Sequence, residues 1–290
     1  MDHASPSHAT TPTGSDAALS KFDVKRVYTG LLLIPTLYVI IRYLPPIACT
    51  LLVYLTSGLA LHELYRLCFR GRSNHVYVLV GLATTGAWFA ECHWQGPSIE
   101  TLFLGVVAVL LLPMIAGTYR ECHAVDSAVT ILGIVYIGLG LSYLILLRSL
   151  TDGQFLLLFV LLVTFAADTG AYYVGKMLGR HALAASISPN KTIEGLFGGL
   201  VLAVTATYIG RSWLPYLDFT LLDAIALGMI LTLAGLAGDL VESAIKRSVG
   251  AKDSGGLLPG HGGMLDRIDS LLFTGPAFYY YVAFNGIPGL

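Results

Sequence analysis

SAIKRSVGAKDSGGLLPGHGGMLDRIDS, residues Ser243–Ser270, is bounded on both sides by apolar runs of membrane-spanning length. It holds four cations, three aspartates, one histidine and six glycines. Glycines let main-chain N–H groups approach a ligand closely, and lysines and arginines supply countercharge for phosphates. Aspartates spaced among them suit a hard divalent cation bound through oxygen. The stretch reads either as a site for a polyphosphate and its metal or as a basic loop lying against anionic lipid headgroups. Its flanks decide the fold: this is a charged connector between two hydrophobic helices of an all-α polytopic membrane protein.

Composition agrees with that reading. Of 290 residues, 55% are hydrophobic and 12% charged, and the mean hydropathy is +0.72. A soluble domain carries about 25% charged residues. The net charge of −1 says nothing about nucleic acid, and with no basic tail or aromatic-interleaved patch no nucleic-acid partner is expected. Residues 1–22 are polar and rich in Ser, Thr, Pro, Ala and His, the composition of a disordered tail. They do not resemble a secretory signal, and the apolar segment that follows is long enough to span and is expected to stay in the mature protein. The four cysteines, Cys49, Cys68, Cys92 and Cys122, form no CxxC pair and no zinc spacing. Glu-Cys-His occurs at both 91–93 and 121–123, but the topology below places the copies on opposite membrane faces, so they share no metal.

A helix needs about 20 apolar residues to cross the hydrocarbon core. Nine windows qualify, near 27–44, 46–62, 76–91, 101–118, 128–147, 154–175, 194–212, 220–243 and 270–288. Pro45-Pro46 makes the first two a tight helical hairpin, and Pro276 kinks or shortens the last. The aromatic stripe of that last window reads as packing and interfacial anchoring. Placing the N-terminus in the cytoplasm puts 14 of the 17 Lys and Arg on the inner side, so the C-terminus lies outside. The chain then divides into N-terminal transmembrane helices over 23–150 and a C-terminal catalytic region over 151–290. The latter carries cytoplasmic loops at 176–193 and 244–269.

A second informative block runs from Asp168 to Gly195. Asp168 lies inside the sixth window, where a charge must face protein or water rather than lipid. Lys176 and Arg180 stand four apart on one helical face, and Ser186–Thr192 is expected to form a polar turn that delivers Lys191. Glu194, in the first turn of the next helix, is either a dipole-favoured cap or a functional group. Asp239 lies within the eighth window with Glu242 three residues on, and it calls for a metal ion or a basic partner from another helix. Asp266 and Asp269 stand at the entry to the last window, and Asp239 with Asp266 makes a plausible carboxylate pair for Mg²⁺. His261 either donates to a phosphate or bonds within its loop. Glu63 and Arg66 either join the site or pair with each other, the pairing being the simpler reading. No Walker A, GxGxxG, nucleophile-elbow or HExxH pattern is present, so phosphoryl chemistry without a covalent enzyme intermediate is the natural class.

Ser243-x-Ile245-Lys246-Arg247, Lys252-Asp253 and Pro259-x-His261-Gly262-Gly263-Met264-x-Asp266-Arg267-Ile268-Asp269 together resemble the hallmark of the phosphatidate cytidylyltransferases, or CDP-diacylglycerol synthases. Asp168-Thr169-Gly170-Ala171-Tyr172 and Ser188-Pro189-Asn190-Lys191-Thr192-x-Glu194-Gly195 are also similar to that family. The resemblance implies Mg²⁺-dependent reaction of CTP with phosphatidic acid, giving CDP-diacylglycerol and pyrophosphate, in a homodimer. It implies Asp239 and Asp266 as metal ligands, possibly in a two-cation centre whose second member is monovalent, such as K⁺. Asp168 and Asp269 are second-choice ligands, and Lys252, Asp253 and His261 further catalytic candidates. Lys246, Arg247, Lys252 and Arg267, with Ser243, Gly262 and Gly263, are expected to hold the nucleotide. Lys176, Arg180 and Lys191 are expected to capture the lipid phosphate. An enzyme for another lipid phosphate, such as an ether-linked archaeal one, fits the same motifs. An ion-coupled transporter fits less well, because the charges crowd one face and no internal repeat is visible. Short loops fit a bacterial inner membrane, with the site facing the cytoplasm.

Overall fold

The computed structural model describes residues 24–69, 75–117, 122–214, 220–251, 254–255 and 263–284, with side chains from residue 34 onward. The expected tail therefore lies outside the described residues. Two units are distinguished, Met1–Leu37 and Tyr38–Leu290, and the first contributes the opening turns of helix α1 (Val24–Tyr43).

Backbone groups in hydrocarbon must be satisfied within their own segment, so long apolar runs become helices. In the second unit these are α2 (Pro46–Cys68), α3 (His75–Trp94), α4 (Ile99–Ile115), α5 (His123–Gly133), α6 (Gly140–Ser149), α7 (Gly153–Leu178), α8 (Ile193–Gly210), α9 (Leu221–Ser248), α10 (Leu265–Ile268) and α11 (Leu271–Phe284). A π-helical segment, Ile134–Leu139, joins α5 to α6, so His123–Ser149 is one 27-residue apolar stretch. Five stretches among the described residues are long and apolar enough to cross a membrane: Pro46–Cys68, His123–Ser149, Gly153–Leu178, Ile193–Trp213 and Leu221–Ser248. The fold is that of an all-α integral membrane protein.

Local chemistry sets the boundaries. Pro46 occupies the first turn of α2, where a missing N–H costs nothing and the fixed φ suits a helix start. Thr192 caps α8 by accepting from Gly195 N at 3.1 Å. Thr220 and Asp223 form a reciprocal capping box at the start of α9. One departure from helix stands where a polar turn was expected. Strands β1 (Ala182–Ala184) and β2 (Ser188–Thr192) pair antiparallel, with Ala182 opposite Thr192. Pro189 is tolerated because each strand of a two-stranded ribbon has a free edge.

Packing then places the functional helices. A Cβ on Gly170 of α7 would meet the Gly198 carbonyl of α8, and one on Gly198 would meet Val174 and the Gly170 carbonyl. These two helices thus touch backbone to backbone, as small residues permit in membranes. On α9, a Cβ on Gly238 would meet the Asp269 carbonyl, so the entry to α11 lies directly against α9. The aromatics of α11 do pack: Phe278 is fully buried and stacks on Phe159 at 5.2 Å, and the Tyr280 hydroxyl lies 2.8 Å from that of Tyr143.

Candidate active site

Helices α7, α8 and α9, the β-ribbon and the turns before α11 enclose a cavity of 410 Å³. Five acids line it, Asp168, Asp239, Glu242, Asp266 and Asp269, against two lysines, Lys191 and Lys246. Each arrives for a local reason. The ribbon carries Lys191 back over the end of α9, where it is ion-paired with Asp239. The close approach at Gly238 lays Asp269 beside Asp239 and Glu242, which share one stripe of α9 by their spacing. Asp239, Glu242 and Asp269 each offer a carboxylate oxygen, all within 4.8 Å of one another. Asp168 accepts from the Ser270 hydroxyl at 3.5 Å.

Lys246 joins this cluster to its neighbour. Its Nζ lies 2.5 Å from Glu242 Oε2, one helical turn back, and 2.6 Å from Asp266 Oδ1. Asp266 Oδ2 accepts from Gly263 N at 2.8 Å, the Ser254 hydroxyl at 2.9 Å and Ser254 N at 3.3 Å. Burial opposes the Asp266 charge, but hydrogen bonding to the Glu242 carboxyl, to Lys246 and to the Gly263 N–H outweighs it. These contacts hold its carboxyl well below the usual carboxylate range.

The donor set suits a hard cation. Glu242 is 1% exposed, and its Oε1 is buried with no hydrogen-bond partner. An acceptor desolvated in this way is costly, and a bound cation removes the cost. Acids also outnumber bases around the cavity, which calls for added positive charge.

The structure gathers Asp168, Lys191, Asp239, Lys246, Asp266 and Asp269 as read from the sequence, and it adds Glu242. A carboxylate buried in a span between Asp239 and Lys246 was visible by the same reasoning that singled out Asp239. Ser243 is half-buried and outside the cavity lining. Lys176 and Arg180 are exposed and also outside it, Lys176 lying 5.8 Å from the centre of the Tyr172 ring. Arg247 donates to the carbonyls of Ile187 and Ala251, tying the ribbon to the end of α9. Arg267 is exposed, and Gly263 contributes its N–H to Asp266. Lys252, Asp253, His261 and Gly262 lie outside the described residues.

Glu194 accepts from the N–H groups of Arg180 and His181, with His181 Nδ1 at 2.5 Å from its other oxygen, so it closes the turn from α7 into β1. Glu63 does not pair with Arg66. It accepts instead from Met264 N, Leu265 N and the Ser254 hydroxyl. Pairing within α2 was the simpler sequence reading because Arg66 is one turn away, whereas these partners are some 200 positions along the chain. The histidines of the repeated tripeptide sit near polar hydroxyls, His93 on Thr50 and His123 on Tyr77.

Residues 24–285 match the model of the cytidylyltransferase family. The chain belongs to that family. A phosphatidate cytidylyltransferase of Bacillus subtilis (strain 168) is 36% identical over 270 residues, covering 89% of this chain and 97% of the relative. Another, of Staphylococcus aureus (strain COL), is 45% identical over 186 residues, covering 62% of this chain and 70% of the relative. The family match spans both the acidic cavity and the helices that build it.

Proposed function

We propose that this chain is a CTP:phosphatidate cytidylyltransferase that makes CDP-diacylglycerol and pyrophosphate. The observation that carries the reading is the acid-rich cavity with two lysines, built from transmembrane helices in a chain of this family. An oxygen of the lipid phosphate attacks the α-phosphorus of CTP, and the bond to the β-phosphate breaks as pyrophosphate leaves. A phosphate monoester is largely dianionic near neutral pH, its second pKa being about 6, so the attacking oxygen needs no general base.

Asp239 and Asp266, with Glu242 and Asp269 beside them, would hold Mg²⁺, and a monovalent cation such as K⁺ would complete the charge balance. When bound, the divalent ion supplies neutralisation of phosphate oxygens at the reacting centre. Lys246, already between two carboxylates, would turn one N–H toward the triphosphate, with Arg247, Lys252 and Arg267 around it. Lys191 would meet the lipid phosphate, with Lys176 and Arg180 at the headgroup plane, while the acyl chains stay in the bilayer. Asp168, which accepts from the Ser270 hydroxyl, would orient Lys191 or reach the metal through water.

The same reading places nine crossings in a bacterial inner membrane, the N-terminus and the site in the cytoplasm, and two copies per enzyme. The charge distribution of the sequence supports the sidedness. Purified protein given labelled CTP, phosphatidic acid and Mg²⁺ should yield CDP-lipid and pyrophosphate. No product from phosphatidic acid, with turnover of an ether-linked lipid phosphate instead, would reassign the substrate. No product from either would overturn the function.

A further inference from the structure

Glu63 stands apart from the cavity acids, on α2, yet its carboxylate is committed to the glycine-rich segment. It is 5% exposed. Its Oε1 accepts from Met264 N at 2.9 Å, and its Oε2 accepts from Leu265 N at 2.9 Å and lies 3.2 Å from the Ser254 hydroxyl, whose single O–H it shares with Asp266. Ser254 and Gly263–Leu265 are the two described ends of the segment that continues through 256–262. Asp266 holds the same two ends from its own side, through Gly263 N and the Ser254 backbone and hydroxyl. The neck has no spare room: a Cβ on Gly263 would lie 2.6 Å from Glu63 Oε2.

We infer that Glu63 is a positioning residue, which registers the neck of the glycine-rich segment, and with it Asp266, against the cavity. Two N–H groups at the start of α10 have no partner within that helix, and a buried carboxylate from a distant span satisfies both. Such charge-assisted bonds are about twice as strong as neutral ones and are directional. Asp266 follows Met264 and Leu265 directly, so the bonds that fix those amides also set where its carboxylate meets Lys246. The N-terminal helices are thereby more than a membrane anchor. Through Glu63 of α2 they fix the positions of Ser254, Met264 and Leu265.

The test has a structural and a kinetic arm, and only the kinetic arm rests on the cytidylyltransferase reading. Full-length Glu63→Gln, purified in detergent, keeps the side-chain shape but presents one acceptor and one donor where two acceptors are needed. Amide hydrogen exchange in peptides covering 263–268 should speed up by about tenfold or more, since bonds to a charged group are lost. In the kinetic arm, kcat/KM for CTP should fall by about tenfold or more while KM for phosphatidic acid stays within about twofold. A role limited to stability would lower the melting temperature and leave both constants per folded molecule unchanged. Ser254→Ala, which removes one hydroxyl and folds more readily, should shift both arms the same way by less, and the double variant should fall short of the product of the two effects. Unchanged exchange in folded Glu63→Gln overturns the inference whatever the activity. Wild-type protein without cytidylyl transfer removes the kinetic arm alone, and the exchange result still decides.

Discussion

Lys191 of β2 is ion-paired with Asp239 of α9, which puts a residue delivered by a short ribbon onto a carboxylate inside a transmembrane helix. The pair offsets the cost of a carboxylate placed within a span. Under the proposed function, a cation held by Asp239 would free the ammonium for phosphate. Lys191→Ala should therefore lower kcat/KM by about 10²-fold, within the range for removing one preorganised charge. The loss should appear in the dependence on lipid phosphate. Steady-state kinetics in mixed micelles measures it, and an unchanged lipid dependence would place Lys191 outside the substrate site.

Asp239→Asn and Asp266→Asn should each reduce turnover by about 10³-fold, at the upper end of what loss of one such group costs. Excess EDTA should stop wild-type turnover, and Mg²⁺ should restore it. The cluster of Asp239, Glu242 and Asp269 predicts a second effect, because chelation leaves three neighbouring carboxylates with only Lys191 and Lys246 to offset them. The melting temperature should fall on chelation and recover with Mg²⁺. Turnover that persists in excess chelator would refute the metal assignment.

Lys246→Met tests the bridge between Glu242 and Asp266. Its Nζ is ion-paired with both of those side chains, which are 1% and 17% exposed. Removing one member of a buried ion cluster costs about 3–5 kcal/mol, because the remaining charges stay buried. Detergent-solubilised variant protein should melt well below wild type. Glu242→Gln combined with Lys246→Met should recover part of the loss.

Gly198→Val should separate α7 from α8. The added side chain would meet Val174 and the Gly170 carbonyl, where no rotamer can move it clear of backbone. Overpacking typically costs about 1–3 kcal/mol. Activity should fall along with stability, since the cavity is lined by both helices. Thermal unfolding with parallel activity assays checks this, and wild-type stability would mean that the two backbones are not in contact.

Much of the site was legible before any coordinates. Asp168 and Asp239 were found because an ionised group in a span is expensive, and Asp266, Asp269 and Lys246 because they crowd a glycine-rich connector. Glu242 meets the same criterion as Asp239, but the sequence does not show that it is buried at the cavity. Glu63 was weighed against its neighbour Arg66, since helical spacing is the only geometry a sequence displays directly. Ser186–Thr192 reads as a polar turn around Pro189, because strands of three and five residues are too short to show an alternating pattern.

By itself, the sequence determined a helical membrane protein and pointed to phosphate chemistry at its charged connectors. Hydrophobic length and charge placement are properties of each segment alone, so they can be read without knowing its neighbours. Only the tertiary structure decided which carboxylates meet. Glycine-to-backbone contacts at Gly198 and Gly238 bring distant segments to one cavity, and a buried acid on α2 finds its donors some 200 residues away. Such pairings depend on how helices pack in space, and no local periodicity encodes that.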